Sequence, residues 1–189
     1  QYSTALGFFS QAGGDYSIAG GYQSNAQGTH TIALGYQTIA AGTASAAFGR
    51  NTIANASYGV ALGVYNNPIV PPPPVSPSPF DPLLMVGNGT SDANRKNALV
   101  VNFSGDVGIG VDIPFTKLHI EGGVDASATS FGSGYFIIGN PESTNLVFDD
   151  NEIIARNNAT ASNLTLQSGS GSLLVGTASA VALEKLTVF

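Results

Sequence analysis

The chain holds no cysteine and no tryptophan among its 189 residues, and only two histidines and one methionine. Without cysteine there is neither a disulfide framework nor a thiolate metal site. Two distant histidines, His30 and His119, do not make a zinc site. Charge is scarce too: charged residues are 10% of the chain, against about 25% in an average globular domain. The formal net charge of −6 runs against nucleic acid, which calls for a basic patch. No apolar run approaches the ~20 residues of a transmembrane helix. No signal peptide opens the chain, and Gln1 enters in mid-pattern without an initiator Met. The sequence reads as a fragment of a longer protein, open at both ends.

What the chain has instead is glycine, 24 residues of it, and a seven-residue period. Alanine recurs at Ala5, Ala12, Ala19, Ala26, Ala33, Ala40, Ala47, Ala54 and Ala61. Glycine follows two residues later in each unit except at Ala56, and Ser or Thr precedes by two in each except at Gly59. A fixed internal period is the mark of a solenoid. A coiled coil would need large apolar residues at two positions per heptad and charges between them. Here the constant positions are Ser/Thr, Ala and Gly, and residues 1–65 carry only Asp15 and Arg50 as charges. Glycine in every heptad would also cost a helix ~1 kcal/mol each time. Spacing by two places all three constant residues on one face of a strand. The expected unit is five residues of strand and a two-residue corner.

That small-residue face looks inward. The outward positions flank each alanine and differ between odd and even units. Odd units present Thr4/Leu6, Ile18/Gly20, Ile32/Leu34, Ala46/Phe48 and Val60/Leu62, whereas even units present Gln11/Gly13, Asn25/Gln27, Ile39/Ala41 and Ile53/Asn55. The true repeat is therefore 14 residues, one coil of two strands with one apolar outer face. An apolar outer stripe marks an interface, so several copies are expected to pack with the odd strands facing each other. The residues expected in that interface are Leu6, Ile18, Ile32, Leu34, Phe48, Val60 and Leu62. At ~4.8 Å per coil the head stands only ~20 Å tall.

Units such as Ser17-Ile18-Ala19-Gly20-Gly21, Thr31-Ile32-Ala33-Leu34-Gly35 and Val60-Ala61-Leu62-Gly63 resemble the head repeat of trimeric autotransporter adhesins, the YadA-like head. The resemblance covers residues 1–65. It implies a left-handed parallel β-roll with 14 residues per coil, assembled as a homotrimer.

After the head, residues 66–82 hold eight of the ten prolines and read as a stiff linker, since such a run lacks donors for a sheet. Regular structure restarts in a β unit over 83–122. Its expected strands are Leu83–Val86, Ala98–Phe103, Val107–Gly110 and Thr116–Glu121, the last with Leu118 and Ile120 inward and His119 outward. Asn94-Arg95-Lys96-Asn97 reads as a solvated corner. Residues 123–189 form a second β unit, truncated at its C-terminal end. Strands are expected at Tyr135–Gly139, Asn145–Phe148, Glu152–Arg156 and Leu164–Gln167. Leu174–Thr177 and Glu184–Val188 then echo Ile109-Gly110 and Lys117–Ile120.

Val107-Gly108-Ile109-Gly110 with Pro114 and Lys117-Leu118-His119-Ile120, and later Asp149–Asn158, resemble elements of phage tail fibres and related bacterial fibre proteins. Val111 departs from that pattern, and the later copy lacks the proline. Both resemblances imply an all-β homotrimeric fibre: a β-roll head followed by short-stranded units.

Chemistry is sparse. Asp149, Asp150 and Glu152 are candidates for glycoside cleavage by paired carboxylates or for Ca²⁺, against a plain turn role. No catalytic, cofactor or metal residue is assigned. The leading reading is a structural and adhesive segment of an extracellular fibre on a cell surface, virion or injection device. It would display binding surfaces to a cell-surface glycan or protein receptor. Tyr16, Tyr22, Tyr36, Arg50 and Tyr58 are the expected receptor contacts, because aromatic and Arg side chains dominate binding hot spots. The alternative is a phage-tail polysaccharide depolymerase. An ice-binding solenoid is set aside, since its threonines would have to face outward.

Overall fold

A computed structural model describes residues 2–69 and 77–166. Every regular element among them is a strand; there is no helix. The chain divides into two compact units, meeting at Gly122 and Gly123.

The first unit begins with β1 (Thr4–Phe8), β2 (Gln11–Ala12), β3 (Ile18–Tyr22), β4 (Asn25–Ala26), β5 (Ile32–Tyr36), β6 (Ile39–Ala40), β7 (Ala46–Arg50), β8 (Ile53–Ala54) and β9 (Val60–Val64). The odd-numbered strands stack in parallel in one sheet and the even-numbered ones in another. Each residue pairs with the one 14 positions on: Ala5 with Ala19, Ala19 with Ala33, Ala33 with Ala47 and Ala47 with Ala61. A 14-residue coil of two strands is therefore the structural repeat.

The two halves of a coil differ from the five-residue expectation. Odd units keep five residues of strand, but even units keep two. The reason lies in the backbone after the even alanine. There two successive N–H groups converge on one carbonyl: Gly13 and Gly14 on Ala26, Gln27 and Gly28 on Ala40, Ala41 and Gly42 on Ala54. Such a shared acceptor bends the chain and ends the ladder.

The interior is thin. Ala19, Ala26, Ala33, Ala40, Ala47, Ala54 and Ala61 are fully buried, as are Ser24, Thr31, Thr38 and Thr52. Buried hydroxyls need partners, and most find backbone carbonyls. Ser17 Oγ donates to the Gly14 carbonyl at 2.6 Å, Ser24 Oγ to Gly35 at 3.0 Å and Thr31 Oγ1 to Gly28 at 2.7 Å. Glycine is required where coils touch. Gly35 has φ +140°, and a Cβ there would lie 2.0 Å from the Gly49 carbonyl oxygen.

Every seventh residue turns the corner in the left-handed region. Phe9, Tyr16, Gln23, His30, Gln37, Ala44, Asn51, Tyr58 and Tyr65 all have φ between 43° and 61°. For a residue with a Cβ that conformation costs roughly 1–2 kcal/mol. Hydrogen bonds to the preceding coil offset it: Gln23 N–H to Phe8, Gln37 N–H to Tyr22 and Asn51 N–H to Tyr36, at 2.7–2.8 Å.

The odd-strand sheet does not stop at the proline-rich segment. β10 (Pro82–Asn88) adds to β9 in parallel, Met85 opposite Ala61. β11 (Asn97–Asn102), β12 (Val107–Ile109) and β13 (Leu118–Ile120) then extend the sheet to nine strands. Met85 and Val100, both buried, carry the alanine core onward. The even-strand sheet ends differently. Asn66 is fully buried and imitates the missing next strand. Its Oδ1 accepts the Ile53 N–H at 2.7 Å and its Nδ2 donates to the Ile53 carbonyl at 2.9 Å.

Two expectations are corrected here. Arg95 and Asn97 are not a solvated corner. Arg95 Nη1 donates to the Asn51 and Asn66 carbonyls at 2.7 and 3.0 Å. Asn97, 5% exposed, binds Asn67 and the Asp112 carboxylate. In β13 the faces are reversed. Leu118 pairs with Val107 and Ile120 with Ile109, on the outer face, while His119 pairs with Gly108 on the core side. The alternation was legible locally, but the pairing partners decide which side is core.

The second unit is an antiparallel sheet of β14 (Phe136–Gly139), β15 (Thr144–Phe148) and β16 (Ile153–Asn157). Arg156 is fully buried and makes no ion pair among the described residues. Its Nε donates to Asn145 Oδ1 at 2.7 Å, and its guanidinium also gathers the carbonyls of Ser127, Ser130 and Phe131. It thereby pins the loop at 127–133 to the sheet. Leu164–Leu166, expected as a strand, lie outside any strand. Gln167 and the segments Leu174–Thr177 and Glu184–Val188 fall outside the described residues.

Candidate functional site

The exposed features with binding character are columns of side chains, since a 14-residue register stacks like positions. The seven expected interface residues fall in two columns on the outer face of the odd-strand sheet. Ile18, Ile32 and Val60 make one, and Leu6, Leu34, Phe48 and Leu62 the other. In the single chain Leu6 is 67% exposed, Ile18 44% and Leu34 39%. Both columns run on beyond the head. Leu84 pairs with Val60 and Val86 with Leu62, and Leu99, Val101, Val107, Ile109, Leu118 and Ile120 follow on the same face.

The five expected receptor contacts divide between two ladders. Tyr22, Tyr36 and Arg50 lie in one, beginning with Phe8. Phe8 and Tyr22 stack with ring centres 5.3 Å apart, Tyr22 and Tyr36 at 4.8 Å. The Arg50 guanidinium then lies 5.5 Å from the Tyr36 ring and 5.8 Å from Tyr65. Tyr16 belongs to another corner, stacked between Tyr2 at 5.9 Å and His30 at 5.1 Å. Tyr58 occupies the Tyr16 position three coils on, after Ala44 interrupts the stack. Stacked aromatic pairs are worth about 0.5–1.5 kcal/mol beyond their area, so these side chains stabilise coil stacking as well as facing solvent.

An amide ladder escaped the reading by single residues. Gln37 Nε2 donates to Gln23 Oε1 at 2.8 Å, and Asn51 Nδ2 donates to Gln37 Oε1 at 3.2 Å. Its signal was present in the spacing of 14 between Gln23 and Gln37. Phe8 and Phe9 form an edge-on pair at 4.2 Å, and beside them Phe9, Gln11, Gln23 and Asn25 line an open cleft of about 370 Å³.

The acidic candidates separate. Carboxylate oxygens of Asp149 and Glu152 come within 4.8 Å of one another and of Asp125, without Asp150. Asp149 has the geometry of a turn. Its carboxylate accepts N–H groups from Ala126 at 2.7 Å, Asn151 at 3.0 Å and Glu152 at 2.6 Å. Those bonds, that from Ala126 foremost, hold its carboxyl below the usual carboxylate range. A general acid in glycoside cleavage needs the opposite shift. Asp106 is lowered likewise, first by Lys117 Nζ at 2.6 Å and then by Ser104. That contact ties the turn after β11 to the start of β13.

Among the described residues, no helix is long and apolar enough to cross a membrane. Residues 1–24, 21–38, 26–52 and 40–66 match the YadA head domain repeat family. The matched stretches together cover the periodic part of the chain, residues 1–66. No curated protein and no solved structure matches the chain.

Proposed function

Taking the periodic segment as a YadA-like head, we propose that this chain is a structural and adhesive segment of a homotrimeric extracellular fibre. The odd-strand sheets of three copies pack against one another along the two apolar columns. The observation that carries this reading is the exposure of those columns in one chain, with Leu6, Ile18 and Leu34 at 67, 44 and 39%. A contiguous apolar stripe of this kind marks an interface. The stripe continues through β10–β13, so the short-stranded unit at 83–122 belongs to the same interface. Its likeness to phage tail-fibre elements fits that role. The corners stay outside the assembly. There Tyr16, Tyr22, Tyr36, Arg50 and Tyr58 face a receptor, a cell-surface glycan or protein.

Sedimentation equilibrium tests the assembly. One chain is 19.2 kDa; the expected mass is threefold and persists on dilution. Leu34→Asp should reduce it to one chain by placing a charge in the interface. A monomeric parent chain would refute the proposal.

A further inference from the structure

The cleft between Phe9, Gln11, Gln23 and Asn25 has the composition of a saccharide site. It lies where the corner after β1 and β3 meets the even-strand face, away from the apolar columns. None of its four lining side chains is charged. Phe9 is 68% exposed, and the edge-on contact with Phe8 holds its ring. The left-handed backbone at Phe9 and Gln23 (φ 53° and 52°) directs both side chains out of the coil.

Three amides line the cleft together with that ring. The ladder orients one of them. Asn51 donates to Gln37 and Gln37 donates to Gln23 Oε1, so Gln23 is fixed through its oxygen and its Nε2 is left to donate. The side-chain amides of Gln11 and Asn25 have no partner among the described residues. An amide offers two donors and an acceptor with two lone pairs. That inventory complements vicinal hydroxyls, each a donor and an acceptor. The aromatic face complements the C–H face of a pyranose ring. A few convergent polar groups beside an apolar platform are the usual makeup of a small-ligand site. With no cation in the lining, an anionic sugar would find no partner for its carboxylate.

We propose that this cleft is a subsite for a neutral glycan, binding one uncharged hexose or N-acetylhexosamine residue. The ring stacks on Phe9, and its hydroxyl or acetamide groups bond Gln11, Gln23 and Asn25. The proposal deepens the receptor-binding reading and rests on it. The coil register repeats the corner along the head; Phe9 is replaced by Gln23, Gln37 and Asn51 at the next three positions, and the ring of Tyr65 at the fifth is engaged by the Arg50 and Arg95 guanidinium groups. Among the described corners of this register, Phe9 is thus the aromatic ring with no cation against it.

The test is saturation-transfer NMR on the full chain with N-acetyllactosamine and chitobiose as neutral probes and 3′-sialyllactose as the charged comparison. Saturation should reach the neutral sugars. Phe9→Ala should weaken binding at least tenfold, which is about 1.4 kcal/mol. Gln11→Ala, which breaks no hydrogen bond within the described protein, should weaken it severalfold, and Asp15→Asn at the other corner should leave it unchanged. No transfer to either neutral probe, preference for the sialylated one, or unchanged binding in both cleft variants would overturn the proposal. Sedimentation of the same samples separates the two readings. A threefold mass without sugar binding removes the subsite alone, and a monomeric mass removes the fibre.

Discussion

Two inward threonines, each two residues before a buried alanine, Thr31 in an odd unit and Thr52 in an even one, test what the thin interior tolerates. Thr31 and Thr52 are both fully buried. Thr31 Oγ1 donates to the Gly28 carbonyl at 2.7 Å, whereas Thr52 Oγ1 has no partner among the described residues. Valine replaces the hydroxyl by a methyl group of nearly the same size, so packing changes little and polarity changes alone. A buried donor left unmade costs about 1–3 kcal/mol, and a made neutral hydrogen bond contributes a net ~0.5–1.5 kcal/mol. Thr52→Val should therefore raise stability by about 1 kcal/mol. Thr31→Val should lower it by about 1–2 kcal/mol, since it also deprives the Gly28 carbonyl of that donor. The assay is urea unfolding at one fixed chain concentration, because assembly makes stability concentration-dependent. Midpoints should move in opposite directions at constant m-value. Shifts of the same sign, within about 0.5 kcal/mol of each other, would refute the claim that hydrogen bonding and not residue size selects Ser and Thr here.

Further outcomes follow from single contacts. Gly35→Ala should break coil stacking, because its Cβ would lie 2.0 Å from the Gly49 oxygen at φ +140°; backbone strain alone adds about 1–3 kcal/mol, read as a lowered melting temperature. Asn66→Ala should cost about 1–3 kcal/mol, since both backbone groups of Ile53 lose their partner; amide exchange at Ile53 should quicken, while exchange at Ala33 should hardly change. Asp106 and Asp149 have folded-state pKa values below the ordinary 3.8. Their contribution is therefore fully present above that value and is lost as pH falls through the lower folded values. Asp149→Asn should remove its part of that acid dependence, measured by unfolding across the acid range.

How much of this was readable in advance differs between the parts of the chain. Ala5 to Ala61 at intervals of seven announced a solenoid, because one residue type at a fixed period leaves no other way to build a continuous core. The inward alanines, the apolar outer columns and the 14-residue coil follow from that count and from the two-residue alternation of a strand. The shortened even strands do not, because they depend on two N–H groups sharing one carbonyl of the next coil. Nor does the left-handed corner, where residues as different as Phe9, Tyr16, Gln23 and Ala44 take one conformation. The repeat imposes it against their individual preferences.

Past residue 65 the local pattern found most of the strands, though Leu164–Leu166, expected as one, lie outside any strand, and it did not find the strands' partners. Leu118 and Ile120 alternate with His119 in any reading; only pairing with Val107 and Ile109 placed the leucine and isoleucine on the outer face. Arg95 read as part of a solvated corner and Arg156 as the end of a strand, and both are tied to backbone carbonyls from distant segments. The candidate cleft shows the same division. Its residues stand in the sequence as Phe9, Gln11, Gln23 and Asn25, and the period places them on neighbouring coils. Their convergence on one space depends on the corner's φ and on the direction of the amide ladder. Periodicity is a one-dimensional property, and the sequence by itself determined the coil length, the inward alanines and the apolar outer columns. Which side is core, what caps an open edge and which side chains meet are settled by contacts between segments far apart in the chain, and those only the tertiary structure decided.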